Sequence, residues 1–388
     1  MDTHSVDGLP LTSGRVQLAL VFILVSVTLD SLAVTIVGPV MPALLKELTG
    51  GAMAQMSAVF GAITMVFAAM QFVAGPVQGA LSDRFGRRPI VLISTVGIAA
   101  YFVCLALTPN LTWIFVGAVI AGAAAGSVAA AFAYVADISQ PEQRAARFGL
   151  VSAALAAGGA CGSLIGGFMG EIDPRAPFWL AAAISVTSFL FGLFVLPESL
   201  AAENRAPLAW RSVHPVGVFR SLWREYPILK AWQCGLLLIS LGFAGINSIF
   251  FLYVTFRFGW TPKTIGFYAT FVMLTSLAVQ TGLVARVIAR FGERRVLLGG
   301  IVVQLIGTAA VGLAPTGALF VAAVFVVVLG GVAAPARLSI VNRIIAPTDR
   351  GRLSGAERSV ESLTGIVAPG VFAAMFAAVV VAGPHSML

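Results

Sequence analysis

Long stretches that contain no Asp, Glu, Lys or Arg dominate this sequence. They run 48–82, 89–136, 148–170, 176–197, 231–256, 264–285, 296–336 and 362–388, and 16–45 joins them, broken only by Asp30. About 20 apolar helical residues cross a hydrocarbon core of roughly 30 Å, and a helix satisfies its own backbone there. Two stretches are long enough for a pair of helices and carry turn residues in the middle, Thr108-Pro109-Asn110 and Ala314-Pro315-Thr316-Gly317. The pattern predicts eleven spans near 16–42, 54–80, 90–107, 111–136, 148–170, 177–197, 229–255, 264–285, 296–314, 317–341 and 355–382. Composition agrees: 10% of the 388 residues are charged, against about 25% in soluble domains. A soluble, disordered, collagen-like or disulfide-stapled chain is therefore excluded. Cys104, Cys161 and Cys234 are scattered in apolar sequence and read as inert thiols.

The net charge of +8 speaks to sidedness rather than to nucleic acid. With a cytoplasmic N-terminus, only Lys46, Arg175, Arg257 and Lys263 of the 24 basic residues fall outside, a sustained positive-inside bias. Residues 1–14 lack a basic start and a cleavage site, so the first span is expected to be an uncleaved anchor.

The longest hydrophilic segment falls after span six. It divides the chain into an N-terminal six-helix bundle (1–197), a cytoplasmic linker (198–228) and a C-terminal bundle (229–388) with five helices. An internal repeat supports the division: Leu81-Ser82-Asp83-Arg84-Phe85-Gly86-Arg87-Arg88 resembles Ile288-Ala289-Arg290-Phe291-Gly292-Glu293-Arg294, and Arg84 aligns with Arg290 at an offset of 206. Two parallel repeats are a layout of secondary transporters. By that plan a twelfth helix is expected, where the sequence reads Gly383-Pro384-His385-Ser386-Met387-Leu388.

The segment Gly79-Ala80-Leu81-Ser82-Asp83-Arg84-Phe85-Gly86-Arg87-Arg88-Pro89 resembles the loop between spans two and three of the major facilitator superfamily. Gly79 there would let helices approach, Asp83 would oppose the positive end of another helix, and Arg84, Arg87 and Arg88 would pair with acids or lipid phosphates. Together with Gly86 they would form a cytoplasmic gate. The resemblance sharpens to the tetracycline/proton antiporters and multidrug exporters. It rests on Leu29-Asp30 with Gly38-Pro39 in span one, on Asp137, Glu142, Arg144 and Arg147 after span four, and on Leu196-Pro197-Glu198-Ser199 after span six. It implies an all-α two-bundle fold, a loop charge network at Asp137, Glu142, Arg144 and Arg147, and drug export in exchange for protons. Departures from the family pattern fall at Tyr101, Ala118, Ser163 and Gln304, leaving Asp30 as the surviving intramembrane acid of that pattern.

Asp30 lies 14 residues past Val16, about 21 Å along a helix. A carboxylate that deep costs about 2.5–3.5 kcal/mol on insertion scales and needs a cavity or a partner. It is read as a proton carrier or substrate anchor, or else as a structural acid held by Thr28 or Ser31. Glu357 and Glu361 share a helical face in span eleven, and Arg337 in span ten sits at the depth of Glu361, with which it is expected to pair. Gln71, Asn247, Tyr253 and Gln304 are candidates for lining a central cavity. Gly158, Gly162, Gly166 and Gly170 form a stripe suited to close helix packing.

The expected function is proton-coupled efflux of an amphipathic drug-like compound in a bacterial inner membrane. Small-molecule substrate, protons and lipid are the partners; a monomer, no cofactor, no metal and no nucleic acid are expected. The alternatives are a facilitator or symporter of a small metabolite, or a non-transporting remnant. His4, His214 and His385 lack metal-ligand spacing, and no phosphate-binding Walker loop occurs, so no enzyme is expected.

Overall fold

The computed structural model describes residues 5, 6, 9, 10, 13–200, 205, 228–345 and 350–382. Nearly all of the predicted linker and the residues after 382 lie outside the described residues. Eleven spans among the described residues are long and apolar enough to cross a membrane.

The helices are α1 (Ser13–Ile36), α2 (Met41–Thr49), α3 (Met53–Phe85), α4 (Arg87–Leu107), α5 (Leu111–Ala124), α6 (Ser127–Asp137), α7 (Pro141–Ile172) and α8 (Ala176–Val195). After the linker come α9 (Ile228–Phe258), α10 (Pro262–Ala278), α11 (Val284–Phe291), α12 (Glu293–Leu313), α13 (Gly317–Gly330), α14 (Ala333–Ile344) and α15 (Arg350–Ala382). Their starts follow local chemistry. Pro141, Pro177 and Pro262 occupy first-turn positions, where the missing N–H costs nothing. The Thr261 and Thr316 hydroxyls accept from the backbone N–H of Thr264 and Leu319, each at 3.4 Å.

The repeat seen in the sequence is a structural one. Helices α4 and α12 begin and end at the same offset of 206, as do α5 and α13. Gly86 and Gly292 end the preceding helices with φ of +109° and +77°, values at which a side chain is strained. Spans four and ten, each expected as one helix, are broken at matching places: α5 gives way to α6 at Ala125-Gly126, and α13 to α14 at Gly331-Val332. Span one also departs from expectation. It bends at Gly38-Pro39 through a short 3-10 turn and continues as α2 to Thr49. Between α10 and α11, Val279–Leu283 winds as π-helix.

Helices α1, α3, α4, α5, α6, α7 and α8 pack together, and α8 covers α1 and α4. Helices α9, α10, α12, α13, α14 and α15 form a second set, joined to the first along α3 with α15 and along α7 with α10. Both seams rest on small residues, because lipid tails give apolar helices no reason to leave them and close contact must supply the attraction. On α7, Gly158, Gly162 and Gly166 lie against the backbone carbonyls of Thr28, Leu32 and Ile36 of α1, and Gly170 against Val40. The adjacent face of α7 serves the other set: Gly159 meets Met273, and Gly167 meets Pro262 and Gly266.

Candidate functional site

The α3–α15 seam is closed at one end and open at the other. From the closed end, the Ser57 hydroxyl donates to the Ala373 carbonyl at 3.0 Å, Gly61 lies against Pro369 and Ala373, and Met65 lies against Gly370. At the same end Glu171 on α7 accepts from the Thr261 hydroxyl at 3.1 Å and from the Lys263 backbone N–H at 3.2 Å. Towards the arginine-bearing end the seam parts, and a cavity of about 830 Å³ opens between α3, the α5–α6 break and α15. Gln71, Gln78, Asp83 and Arg87 face it from the first set and Glu361 from the second.

Asp30 stands behind the cavity wall, inside the first set. Its Oδ1 accepts from the Ser188 hydroxyl of α8 at 2.9 Å, and Ser127 at the start of α6 lies beside it. The hydroxyls expected to hold it are engaged elsewhere: Thr28 donates to Leu24 and Ser31 to Leu155, 2.8 and 2.7 Å away. Ser127 follows Gly126, which lines the cavity, so the broken span has the cavity on one side and Asp30 on the other. The Gln78 amide donates to the Ala123 carbonyl at that break, where the helical ladder is interrupted, and its own carbonyl oxygen is buried without a partner among the described residues. Sequence reasoning missed Gln78. The signal was present, an amide in an apolar span, but the adjacent charged motif obscured it.

The arginine motif is organised differently from expectation. Arg87 bonds Asp83 at 2.5 Å, Asp137 at 3.2 Å and the Ser82 hydroxyl at 3.1 Å, and Asp137 also accepts from the Ser199 hydroxyl at 3.2 Å. Asp83 therefore pairs one turn along its own segment rather than with a helix of the second set. Glu198 accepts the backbone N–H groups of Arg87 at 2.8 Å and Arg88 at 3.3 Å, placing a carboxylate at the positive end of α4. Its carboxylate fills the space a Cβ at Gly86 would need. Gly79 faces the cavity, with no atom near enough to require a glycine. Arg84 lies 5.3 Å from the ring centre of Phe85, and Arg88 donates to the Leu193 carbonyl at 2.5 Å.

Among the described side chains of the loop after span four, no ion pair joins Asp137 to Arg144 or Arg147. Arg147 donates to the Ile138 carbonyl at 2.8 Å and the Ser139 hydroxyl at 3.1 Å, and Arg144 to the Ser139 carbonyl at 3.4 Å. They satisfy the carbonyl end of α6, while Asp137 turns to Arg87. The Glu142 side chain lies outside the described residues.

In the second set, Arg337 pairs with Glu357 at 3.1 Å, one turn before the expected Glu361. Arg337 also lies 5.6 Å from the Trp232 ring centre, and the Trp232 indole N–H donates to Glu357 at 3.4 Å. Glu361 has no cationic partner among the described residues. Of the four polar cavity candidates, Gln71 lines the central cavity and Gln304 a second cavity within the later helices. Asn247 lines neither; it is exposed, and its amide donates to the Phe243 carbonyl of its own helix at 2.7 Å. Tyr253 also lines neither and packs among Phe258, Phe320 and Phe376.

Two repeated helical sets meeting on glycine seams, with a one-ended cavity between them, define a membrane transporter of the two-bundle type. Residues 23–279 and 234–382 match the Major Facilitator Superfamily. The chain is 33% identical to the class C tetracycline resistance protein of Escherichia coli over 93% of its length and 90% of that protein's. It is 26% identical to Multidrug resistance protein 2 of Bacillus subtilis over 71% of its length and 68% of that protein's. Its fold is similar to that of the human organic anion transporter MFSD10, with a TM-score of 0.68 and 20% identity over 96% of this chain and 99% of that one. The chain belongs to the major facilitator superfamily, in its tetracycline and multidrug resistance branch.

Proposed function

We propose that the protein is a proton-driven exporter of amphipathic drug-like compounds, working by alternating access in a bacterial inner membrane with its N-terminus and arginine-bearing end in the cytoplasm. Bundles 1–197 and 229–388, joined by 198–228, rock about the α3–α15 and α7–α10 seams. The carrying observation is the central cavity itself, which opens at the arginine-bearing end and has a carboxylate, Glu361, without a cationic partner among the described residues, in its wall. Asp30 lies behind that wall, with Ser127 of the broken span between them. The two acids divide the work. Glu361 meets substrate or proton in the cavity, and Asp30 holds a proton in a site whose protonation alters the α1–α6–α8 packing. The Ser188 partner of Asp30 is a hydroxyl, which can donate or accept and so serves the carboxyl with or without its proton. The Arg337–Glu357 pair fixes α15, and with it Glu361, against α14. Tetracycline is the first substrate to test, on the similarity to tetracycline resistance proteins.

The test is uptake of labelled tetracycline and ethidium into everted proteoliposomes under an imposed pH gradient. Uptake should collapse with a protonophore and fall about ten-fold or more in Asp30→Asn, a loss of at least ~1.4 kcal/mol of driving interaction. Gradient-independent equilibration by the unaltered protein would overturn antiport in favour of a facilitator.

A further inference from the structure

Two helices of the first set are weak at adjoining places, and one side chain joins them. Helix α3 carries Pro76 in its interior. Proline has no N–H to give the preceding turn, so a helix bends most readily there. Span four is broken at Ala125-Gly126, and Gln78, two residues past the proline, reaches across to that break. In an unbroken helix the Ala123 carbonyl would accept from the Ser127 N–H. Here it accepts from the Gln78 side-chain amide, and the Gln78 carbonyl oxygen rests on Gly126, filling the space a Cβ would need. The carboxamide thus spans the break, and Asp30 lies beside the next residue, Ser127. Towards the closed end α3 is held to the second set by Gly61 against Pro369 and Ala373 and by Met65 against Gly370. Pro76 falls between these contacts and Gln78, so a bend there moves Gln78 relative to the seam.

The repeat supplies a comparison. At the offset of 206, Gln78 corresponds to Val284, Gly126 to Val332 and Ser127 to Ala333. Val284 and Val332 pack in one apolar cluster. The matching break is therefore closed by ordinary hydrophobic contact, and packing alone does not call for an amide. A carboxamide is also costly here, because its oxygen is buried without a partner among the described residues. What it adds is direction: a hydrogen bond fixes its two partners, whereas two valines can slide. The directed tie occurs in the half that holds Asp30.

We propose that Gln78 is a positioning residue that transmits bending of α3 at the seam to Ser127 and so to the pocket of Asp30. Its part in transport rests on the export reading, but the link between Gln78 and Asp30 belongs to the folded chain and is measured without transport.

The test combines gradient-driven tetracycline uptake in proteoliposomes with thermal unfolding in detergent. The variants are Gln78→Leu, and Gln78→Val together with Gly126→Val, which installs the pairing of the second half. Both should lower the maximal uptake rate about ten-fold or more with KM within about three-fold. A raised KM at an unchanged maximal rate would make Gln78 a substrate contact, and full uptake by the valine pair would make it mere packing; either overturns the proposal. The midpoint shifts of Gln78→Leu and Asp30→Asn should depart from additivity by about 2 °C or more, whereas those of Gln78→Leu and the remote Gly170→Ala should add. The valine pair replaces Gln78→Leu in this cycle should that variant not fold. Additive shifts for Gln78 and Asp30 would overturn the link. Non-additive shifts in a protein whose unaltered form shows no gradient-driven uptake would leave the link standing while the export reading falls.

Discussion

Gly166 and Gly79 are both helical glycines in apolar surroundings, and they predict opposite outcomes. A Cβ on Gly166 would run into the backbone carbonyl of Ile36, and overpacking of this kind costs about 1–3 kcal/mol. Gly166→Ala is therefore expected to lower the thermal midpoint in detergent by several degrees. Gly79 meets nothing within 4 Å, so Gly79→Ala should leave stability unchanged or raise it by about 0.5–1 kcal/mol through the lost flexibility of glycine. Because Gly79 borders the space that vanishes when the halves close, transport by Gly79→Ala should nevertheless fall several-fold. Parallel melting and uptake measurements check both, and equal stability losses at the two sites would refute the distinction. The glycine stripe of α7 was legible because a four-residue repeat has a fixed helical direction. The depth of Asp30 was legible for a similar reason: charge in hydrocarbon is costly whatever helix bears it. Its partners were not legible. Ser127 and Ser188 are ordinary serines far away in sequence, and Thr28 and Ser31 were nearer at hand but turned to backbone carbonyls.

At the scale of elements, the two halves fasten the start of one helix to the end of another with ion pairs of reversed polarity. Arg87 at the start of α4 holds Asp137 at the end of α6, and Glu293 at the start of α12 holds Arg343 near the end of α14 at 2.8 Å. Residues 87 and 293, like 137 and 343, are related by the repeat. The clasps differ in one respect: Arg87 also holds Asp83, whereas the matching position in the second half is Ala289. Reversing the second clasp with Glu293→Arg and Arg343→Glu together should therefore restore most of the activity lost by either change alone. Reversing the first with Arg87→Glu and Asp137→Arg should not, because Glu at 87 would face Asp83. Since these groups are partly exposed, the coupling in a double-mutant cycle on Arg87 and Asp137 should be about 1 kcal/mol, read from thermal unfolding. The repeat itself was visible in the sequence through its glycine-arginine loops. The matched breaks in spans four and ten were not: span four carries no proline, Pro335 of span ten has no counterpart there, and an apolar Gly-Ala run reads the same whether its helix continues or stops.

Across the whole molecule, the eleven spans followed from charge-free lengths and the two-fold plan from the repeated glycine-arginine loops, because a bilayer leaves few alternatives to a helix. Which end of the central cavity is open could not follow, since the charge pattern does not distinguish helix ends that touch from helix ends that part. The structure has the arginine-bearing end parted and the other end sealed by Glu171 against Thr261 and Lys263. These contacts are single hydrogen bonds at exposed positions, each worth on the order of 1 kcal/mol net. They are a minor part of the closure, which also rests on the buried Ser57–Ala373 bond and on Gly61 against Pro369 and Ala373. Covalent closure should therefore be decisive where mutation is mild. With Cys104, Cys161 and Cys234 replaced, Glu171→Cys and Thr261→Cys can be bridged by a short bifunctional thiol reagent. Bridging should cut gradient-driven uptake about ten-fold or more. Each single cysteine treated with the same reagent should transport within about two-fold of its untreated form. Full uptake after complete bridging would mean that this end never opens, and the rocking of one helical set against the other would have to be abandoned.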